Sequence, residues 1–203
     1  MSDARSITVL DLGLGNLHSV LGALRRVGAS PRVGSSAEDI ANAERLLVPG
    51  QGGFAAGARA LTPVRREALR SHLDSGRPYL GICLGMQLLF EGSEEAPGAE
   101  GLGYFAGRCV RFDETRAPRI PHMAWTPIDG DHPFVEAGAY FYFVHSYHCV
   151  PDDAALTVAR ADYGGGVCAA VARASVFACQ FHPEKSQHRG AALLKRFLEV
   201  PLD

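Results

Sequence analysis

Two short motifs contain the residue types of a nucleophilic catalytic site. Cys83 stands between two glycines in Gly81-Ile82-Cys83-Leu84-Gly85, after a strand-like segment and before an apolar, helix-like one. This is the cysteine counterpart of a nucleophile elbow, where glycines permit a tight turn and the following helix start favours the thiolate. Further along the chain, Phe181-His182-Pro183-Glu184 supplies a base and a carboxylate that could orient it.

Each motif alone has an ordinary structural explanation. A free cysteine is most often a small buried apolar residue, and a histidine near a glutamate is common. The combination favours catalysis, because in an extended chain residues i and i+2 point the same way. His182 and Glu184 then share one face, provided that Pro183 does not break the extended course. We predict that Cys83, His182 and Glu184 act together.

Length and composition describe an ordinary globular protein. The chain has 203 residues, of which 47% are apolar and 21% charged, and its formal net charge is −2. This charge gives no reason to expect binding to nucleic acid or to an anionic membrane. The N-terminus lacks the basic and apolar regions of a secretory signal. We expect one domain over residues 1–203 and a cytoplasmic location.

The cysteines and histidines do not indicate a metal or a cofactor. Five cysteines without paired spacing argue against a disulfide framework or a zinc site. Apart from Cys83, they lie in strand-like apolar stretches and are predicted core residues: Cys109, Cys149, Cys168 and Cys179. His145 and His148 are three apart in a strand-like run and should face opposite sides. We therefore expect neither a metal site nor a cofactor.

Strand and helix patterns alternate in the first half, which predicts an α/β fold with a mostly parallel sheet. Predicted strands are 7–12, 32–33, 45–48 and 79–83; predicted helices are 16–27 and 54–73, the second broken at Pro63. The second half is richer in short strands, predicted at 104–112, 140–144, 156–161, 167–173 and 176–180, and ends with a helix at 187–199. A surface loop is predicted at 94–103. Sites in such sheets lie beyond the carboxyl ends of the strands, where Cys83 falls.

Two glycine-rich loops follow predicted strands. The first, Asp11–Asn16, is similar to a dinucleotide fingerprint, but His18 stands where the third glycine belongs, so we interpret it as a tight turn with Asn16 or a neighbour capping a helix. The second, Pro49–Phe54, has three glycines whose backbone N–H groups could donate to an oxyanion. A glycine connector without function is the alternative for this second loop.

The motifs together resemble the class I, triad-type glutamine amidotransferases. Within that family they are similar to the glutaminase subunits of imidazole glycerol phosphate synthase, over nearly the whole chain. The segments that carry the resemblance are 11–20, Pro49-Gly50, 81–89, Pro121–Met123, 142–147 and 180–187. The resemblance implies a flavodoxin-like amidotransferase fold with an additional antiparallel region.

The resemblance also implies roles for individual residues. Cys83 would attack the side-chain amide of glutamine, with His182 moving the proton and Glu184 orienting His182. The remaining implied roles fall into three groups: backbone oxyanion donors at Gly50, Gln51, Gly52 and Leu84; glutamine-binding residues Gln87, Ser146 and Tyr147; and partner-facing residues Trp125, Tyr142 and Lys185. The implied partner is a (β/α)8-barrel cyclase subunit, which would use the ammonia to make imidazole glycerol phosphate and aminoimidazole carboxamide ribotide in histidine biosynthesis.

Three positions depart from the family pattern, and two other interpretations stay open. Ala124 and Thr126 replace a glycine and an asparagine in a partner-facing motif, and Gln51 replaces a small apolar residue in the glycine loop. The same triad serves amidotransferase subunits of other pathways, such as anthranilate or pyridoxal phosphate synthesis. The other alternative is a non-enzymatic protein on the same scaffold, with Cys83 as a redox sensor.

Overall fold

The computed structural model describes residues 5–202. Residues 1–4 and residue 203 lie outside this range. They are the start of the N-terminal segment considered above for a secretory signal and the last position of the predicted domain. The elements of the first half are β1 Ser6–Leu10, α1 Leu17–Arg26, β2 Ser30–Gly34, α2 Ala37–Ala41, β3 Leu46–Gly50, α3 Phe54–Ala60, α4 Pro63–Asp74, β4 Tyr79–Cys83 and α5 Leu84–Gln87. The predicted alternation of strands and helices is confirmed, and so is the helix break before Pro63.

The second half consists mainly of strands. Its elements are β5 Gly92–Ser93, β6 Gly107–Arg111, β7 His122–Gly130, β8 Tyr140–His145, β9 Tyr147–Pro151, β10 Thr157–Ala161, β11 Val167–Arg173, β12 Val176–Cys179 and α6 Gln187–Leu198. Two single 3₁₀ turns lie at Ala154–Leu156 and Pro183–Lys185. Strands β5 and β7 were not predicted from the sequence, and β9 was expected only as a strand-like run at His148 and Cys149.

The described strands form one large sheet and one small one. The large sheet has nine strands in the order β2-β1-β3-β4-β12-β11-β10-β7-β8. The first five are parallel to one another, and the remaining neighbours are antiparallel. The small sheet has the order β5-β6-β9. The predicted α/β class with an antiparallel extension is therefore confirmed.

Apolar clusters cover both faces of the large sheet. Side chains of α1 and α6 pack in one cluster, and those of α2, α3, α4 and the small sheet pack in the other. Strand β1 contributes to both, since Ile7 and Val9 belong to the first cluster and Leu10 to the second. A parallel strand covered on both faces is apolar throughout, which explains why β1, β3 and β4 were recognisable from short apolar runs.

Side-chain caps fix where two of the early helices begin. The Asn16 side chain accepts from the N–H of Ser19 at 3.2 Å, as the turn-and-cap interpretation predicted. Helix α2 was missed, although Ser36 and Asp39 form a capping box before it. With five residues, this helix is too short to show a helical apolar period.

The helix after Cys83 is much shorter than its apolar sequence suggests. Helix α5 has four residues, because the following loop returns and uses the carbonyl groups that a longer helix would need. The N–H of Leu102 donates to Leu88 C=O at 2.7 Å, and the N–H of Gly103 donates to Phe90 C=O at 3.1 Å. The apolar helix start predicted at 86–91 is therefore only partly present, since the helix begins at Leu84 but ends at Gln87.

His145 and His148 do not face opposite sides of one strand, so that prediction was also wrong. The chain leaves the large sheet at Ser146, and the two histidines lie in β8 and β9, which belong to different sheets. Both rings pack against Phe112, with centroid distances of 5.1 and 5.0 Å. The four other cysteines are buried, as predicted. Within residues 5–202 no helix combines the length and apolar content that crossing a membrane would need.

Candidate active site

The predicted site residues meet beyond the carboxyl ends of three parallel strands. Gly50 ends β3 and lies in register with Cys83 at the end of β4, while Cys179 ends β12 beside Ile82. A cavity of about 420 Å³ opens there. Nine of the residues singled out above line it: Gln51, Gly52, Cys83, Gln87, Tyr142, Ser146, Tyr147, His182 and Lys185. Four further residues complete the lining: Glu95, Pro121, Val144 and His145.

Cys83 has the strained backbone of a nucleophile elbow. Its φ is +54° and its ψ is −106°, a conformation that residues other than glycine rarely adopt. The turn is packed so closely that a Cβ atom on Gly85 would lie 1.9 Å from the carbonyl oxygen of Val48. The side chain of Cys83 is 8% exposed and lines the cavity. The elbow glycines are thus required by close backbone contact, and the sulfur is accessible only from the cavity.

His182 and Glu184 are in direct contact, but a strand does not bring them together. Strand β12 ends at Cys179, and Pro183–Lys185 form a 3₁₀ turn. This turn brings Glu184 Oε1 to 2.8 Å from His182 Nδ1. His182 Nε2 is buried and makes no hydrogen bond of ordinary geometry to a described residue. Nε2 is therefore the ring nitrogen left to exchange a proton with Cys83, and such catalytic bonds often tighten only when substrate binds.

The surroundings of His182 favour its charged form. Burial alone would lower the pKa of the ring, but Cys83 and Glu184 together outweigh burial and raise the pKa of His182 to about 10. A charged imidazole ring beside the Cys83 sulfur would stabilise a thiolate there through its opposite charge. The thiolate is the nucleophilic form of cysteine, so the geometry and the charges suit nucleophilic attack by sulfur.

The predicted oxyanion donors surround the elbow. Leu84 is the first residue of α5, so its N–H has no partner within the helix. Gly50 packs against it so closely that a Cβ on Gly50 would lie 2.8 Å from Leu84 Cβ. Gln51 and Gly52 border the cavity, and Gly52 has a φ of +118°, which glycine alone adopts readily.

Gln87 has its amide nitrogen engaged within the protein. Gln87 Nε2 donates to the carbonyl oxygen of Tyr147 and to Gln180 Oε1, each at 3.1 Å. Its Oε1 makes no hydrogen bond to another residue in the range 5–202, so Gln87 could meet a ligand only as an acceptor. Ser146 and Tyr147 follow at the bend between β8 and β9.

Gln180, which contacts Cys83, and Glu95, which lines the cavity, were given no role from the sequence. Gln180 is completely buried, and its Nε2 lies 3.5 Å from Cys83 Sγ. Glu95 lines the cavity and accepts from the N–H of Phe54 at 2.8 Å, at the start of α3. Gln180 belongs to a motif segment that had been recognised, whereas Glu95 lies in a loop without a recognisable pattern.

Trp125, Tyr142 and Lys185 lie next to one another. Trp125 and Tyr142 are cross-strand partners in β7 and β8, with ring centroids 6.0 Å apart, and Lys185 Nζ lies 5.9 Å from the Tyr142 ring. Met123, Trp125 and Tyr140 are 58%, 43% and 56% exposed on the same two strands. We call this the β7–β8 face; its members are Met123, Trp125, Pro127, Tyr140, Tyr142 and Val144.

The unusual residues Ala124 and Thr126 lie on the opposite side of β7 from that face. Ala124 is half-buried, and Thr126 is buried with its Oγ1 2.7 Å from His122 Nε2. These substitutions therefore alter the interior behind the β7–β8 face. No group of three metal-ligating side chains occurs in the part of the chain that the structure describes.

Comparison with known proteins identifies the family. The sequence profile described as "Glutamine amidotransferase class-I" matches residues 8–200. The chain belongs to the class I glutamine amidotransferase family. Among solved structures, this amidotransferase is similar to one described as "Crystal structure of glutamine amidotransferase", with a TM-score of 0.76, 20% identity and coverage of 95% of this chain and 97% of the other. At 20% identity, this structural similarity supports the fold alone.

Curated relatives of this amidotransferase cover nearly its full length. A protein of Rhodopirellula baltica named "Imidazole glycerol phosphate synthase subunit HisH" is 42% identical, over 97% of this chain and 98% of its own. Proteins of the same name from Syntrophotalea carbinolica and Thermococcus kodakarensis are each 45% identical, over 94% of this chain and 98% of their own.

Proposed function

We propose that this amidotransferase is the glutaminase subunit of imidazole glycerol phosphate synthase. It hydrolyses glutamine to glutamate and ammonia, and it delivers the ammonia to a (β/α)8-barrel cyclase subunit in histidine biosynthesis. The observation that carries the proposal is the meeting of Cys83 and His182 at one cavity, with Glu184 held against His182 by a buried 2.8 Å contact. The 42–45% identical relatives support the choice of pathway.

The first chemical step is attack by the Cys83 thiolate on the side-chain amide carbon of glutamine. The carbonyl oxygen becomes an oxyanion, which the N–H of Leu84 and N–H groups of the Gly50–Gly52 loop stabilise. Protonated His182 then gives its Nε2 proton to the departing nitrogen, and ammonia leaves. The resulting thioester is hydrolysed by water, from which neutral His182 removes a proton, and glutamate and the Cys83 thiolate are released.

Cavity residues outside the triad bind the rest of the substrate. The negative charge of the Glu95 carboxylate suits the α-ammonium group of the substrate glutamine. Gln87 Oε1 can contact the substrate only as a hydrogen-bond acceptor. Ser146 and Tyr147 line the same cavity and offer hydroxyl groups to the α-carboxylate.

The β7–β8 face is the proposed docking surface for the cyclase. Its exposed Met123, Trp125 and Tyr140 are residue types that are enriched at protein interfaces. Tyr142 and Lys185 line the cavity as well as this region, so ammonia leaving the cavity beside them would enter the partner. We place the protein in the cytoplasm, where thiols stay reduced, because its five cysteines show no paired spacing.

The test uses the complex of this chain with the cyclase subunit. Cys83→Ala should abolish synthesis from glutamine, whereas synthesis from added ammonia should continue because only the nitrogen source is lost. His182→Ala should be similarly inactive with glutamine, and Glu184→Gln should retain part of the activity, since an amide can still hold the ring. Cys168→Ala, a buried cysteine outside the cavity lining, is the matched control. Glutaminase activity in Cys83→Ala would contradict the proposal.

A further inference from the structure

Gln180 is a buried amide in contact with the sulfur of Cys83. It follows β12 directly, and its side chain is completely buried. Its Nε2 lies 3.5 Å from Cys83 Sγ, and its Oε1 accepts from Gln87 Nε2 at 3.1 Å. Gln180 thus links the sulfur to a residue of the cavity lining, although it does not itself line the cavity.

A backbone carbonyl determines which way both amides point. The carbonyl oxygen of Tyr147 can only accept, so Gln87 must turn its NH₂ group toward it. The second hydrogen of that NH₂ group points to Gln180, which must therefore present its oxygen to Gln87. The NH₂ group of Gln180 then faces Cys83, and the reversed orientation would break both bonds.

The same carbonyl is held from a second direction by His145. His145 Nδ1 lies 2.9 Å from the carbonyl oxygen of Tyr147 and must carry the hydrogen. Burial lowers the pKa of His145 to about 3, so its other nitrogen is an unprotonated acceptor, 3.1 Å from His122 Nδ1. Burial likewise lowers the pKa of His122 to about 4, and its Nε2 accepts from Thr126 Oγ1.

Every hydrogen in this network consequently has one possible direction. Thr126 Oγ1 donates to His122 Nε2, and His122 Nδ1 donates to His145 Nε2. His145 Nδ1 then donates to the carbonyl oxygen of Tyr147. Gln87 donates to that carbonyl from the other side. The carbonyl accepts two bonds and has no freedom to turn, which keeps the donors of Gln87 and Gln180 fixed in space.

We propose that Gln180 is a positioning residue that donates an N–H to the Cys83 sulfur, in a direction set by Gln87 and the Tyr147 carbonyl. The bond holds the sulfur in one orientation toward the cavity. It also favours the thiolate over the thiol, because an anion accepts a hydrogen bond more strongly. The inference rests on the proposed role of Cys83 as nucleophile.

The test measures the reactivity of the Cys83 thiol directly. Wild-type protein, Gln180→Met and Gln180→Glu are alkylated with iodoacetamide between pH 5 and 9, and the Cys83 peptide is quantified by mass spectrometry. Gln180→Met removes the donor at similar volume, so the pH midpoint of alkylation should rise by about one unit, and alkylation at pH values below the midpoint should slow about tenfold. Gln180→Glu keeps the acceptor toward Gln87 but places an anion beside sulfur, so its midpoint should rise further.

Glutaminase kinetics of the complex with the cyclase subunit add a second readout. The kcat of both variants should fall about tenfold or more while KM for glutamine changes little, because Gln180 lies behind the sulfur and not in the cavity lining. Gln187→Met, at an exposed glutamine, is the matched control and should behave as wild type.

The outcomes separate this inference from the proposed function. A wild-type alkylation profile in Gln180→Met would overturn the inference, even if that variant were less stable, because a merely structural role moves stability and not the midpoint. Should Gln180→Met fail to fold, the isosteric Gln180→Glu carries the same test, and an unshifted midpoint there is equally decisive. Failure of the proposed function would appear differently, as glutaminase activity in Cys83→Ala.

Discussion

Tyr142 and His182 hold each other through both of their backbone polar groups. The N–H of His182 donates to Tyr142 C=O at 2.9 Å. The N–H of Tyr142 donates to Ser186 Oγ at 3.0 Å, and that hydroxyl donates to His182 C=O at 2.6 Å. The proposed base is therefore tied to the strand whose other side chains form the β7–β8 face. A shift of β8 on docking would be transmitted directly to His182.

Ser186→Ala should reduce glutaminase activity while leaving glutamine binding nearly intact. The change removes the hydroxyl that joins the two backbones and leaves the partly buried N–H of Tyr142 without a partner, whereas His182 C=O keeps the N–H of Lys185 at 3.0 Å. We expect about 2 kcal/mol lower stability and about tenfold or lower kcat, since small displacements of a catalytic group are costly. Steady-state kinetics and chemical denaturation provide the measurements. Ser71→Ala, at an exposed serine of α4, is the control, and equal kcat in both variants would show that the link is unimportant.

The sequence predicts that Cys83, His182 and Glu184 meet, because two of them lie two residues apart and the third lies in a local motif. It does not predict Gln180, whose partners Gln87 and Cys83 are 93 and 97 residues away in the chain. No local pattern reports such contacts. They follow from the sheet order, which places β12 next to β4.

Strand β7 was not predicted from the sequence, for a different physical reason. Its inward side chains include His122 and Thr126, whereas Met123 and Trp125 point outward. The usual rule of apolar side chains inside is therefore broken over residues 122–126 of this strand, whereas the inward Ile128 is apolar and buried. Burial of His122 is possible because its ring stacks on Phe143 and Tyr163 and both nitrogens are hydrogen-bonded. An outward apolar side is what a docking surface requires.

Gly85→Ala should prevent the elbow from forming. The new Cβ would lie 1.9 Å from the carbonyl oxygen of Val48, which is rigid backbone, so β3 and β4 would have to separate. We expect a loss of about 3 kcal/mol or more in unfolding free energy. Gly22→Ala in α1 is the matched control, because its Cβ would meet only the end of the Arg26 side chain at 3.4 Å. That control should be neutral or up to about 1 kcal/mol more stable than the wild type. Denaturant titration of both variants measures their unfolding free energies, and equal values would contradict the prediction.

Acid should destabilise the fold through the buried histidine pair. Burial lowers the pKa of His122 to about 4 and of His145 to about 3, whereas both have a pKa near 6.5 when unfolded. The unfolded state then binds protons first as the pH falls, so the stability present above pH 6.5 declines progressively toward pH 4. Each histidine should contribute a loss on the order of 1 kcal/mol between pH 7 and pH 5.

Variants at these histidines isolate that contribution. His145→Asn keeps a donor near the Tyr147 carbonyl but cannot be protonated, so its unfolding free energy should fall less between pH 7 and pH 5 than that of the wild type. His18→Asn, at an exposed histidine of α1, should keep the wild-type difference. Equal pH dependence in all three proteins would exclude the pair as a source of acid sensitivity.

Tyr142→Ala should uncouple ammonia production from its use in the complex with the cyclase. The backbone of Tyr142 holds His182 whatever its side chain, so glutamine should still be cleaved. The ring, however, lies between Trp125 and Lys185 and lines the cavity, and its removal opens a path to solvent. Ammonia that escapes is diluted and largely protonated, so the ratio of glutamate formed to imidazole product formed should rise above one. Val33→Ala, an exposed apolar residue on the opposite edge strand β2, should leave that ratio at one. A ratio of one in Tyr142→Ala, with unchanged binding of the cyclase, would remove this side chain from the proposed route of ammonia.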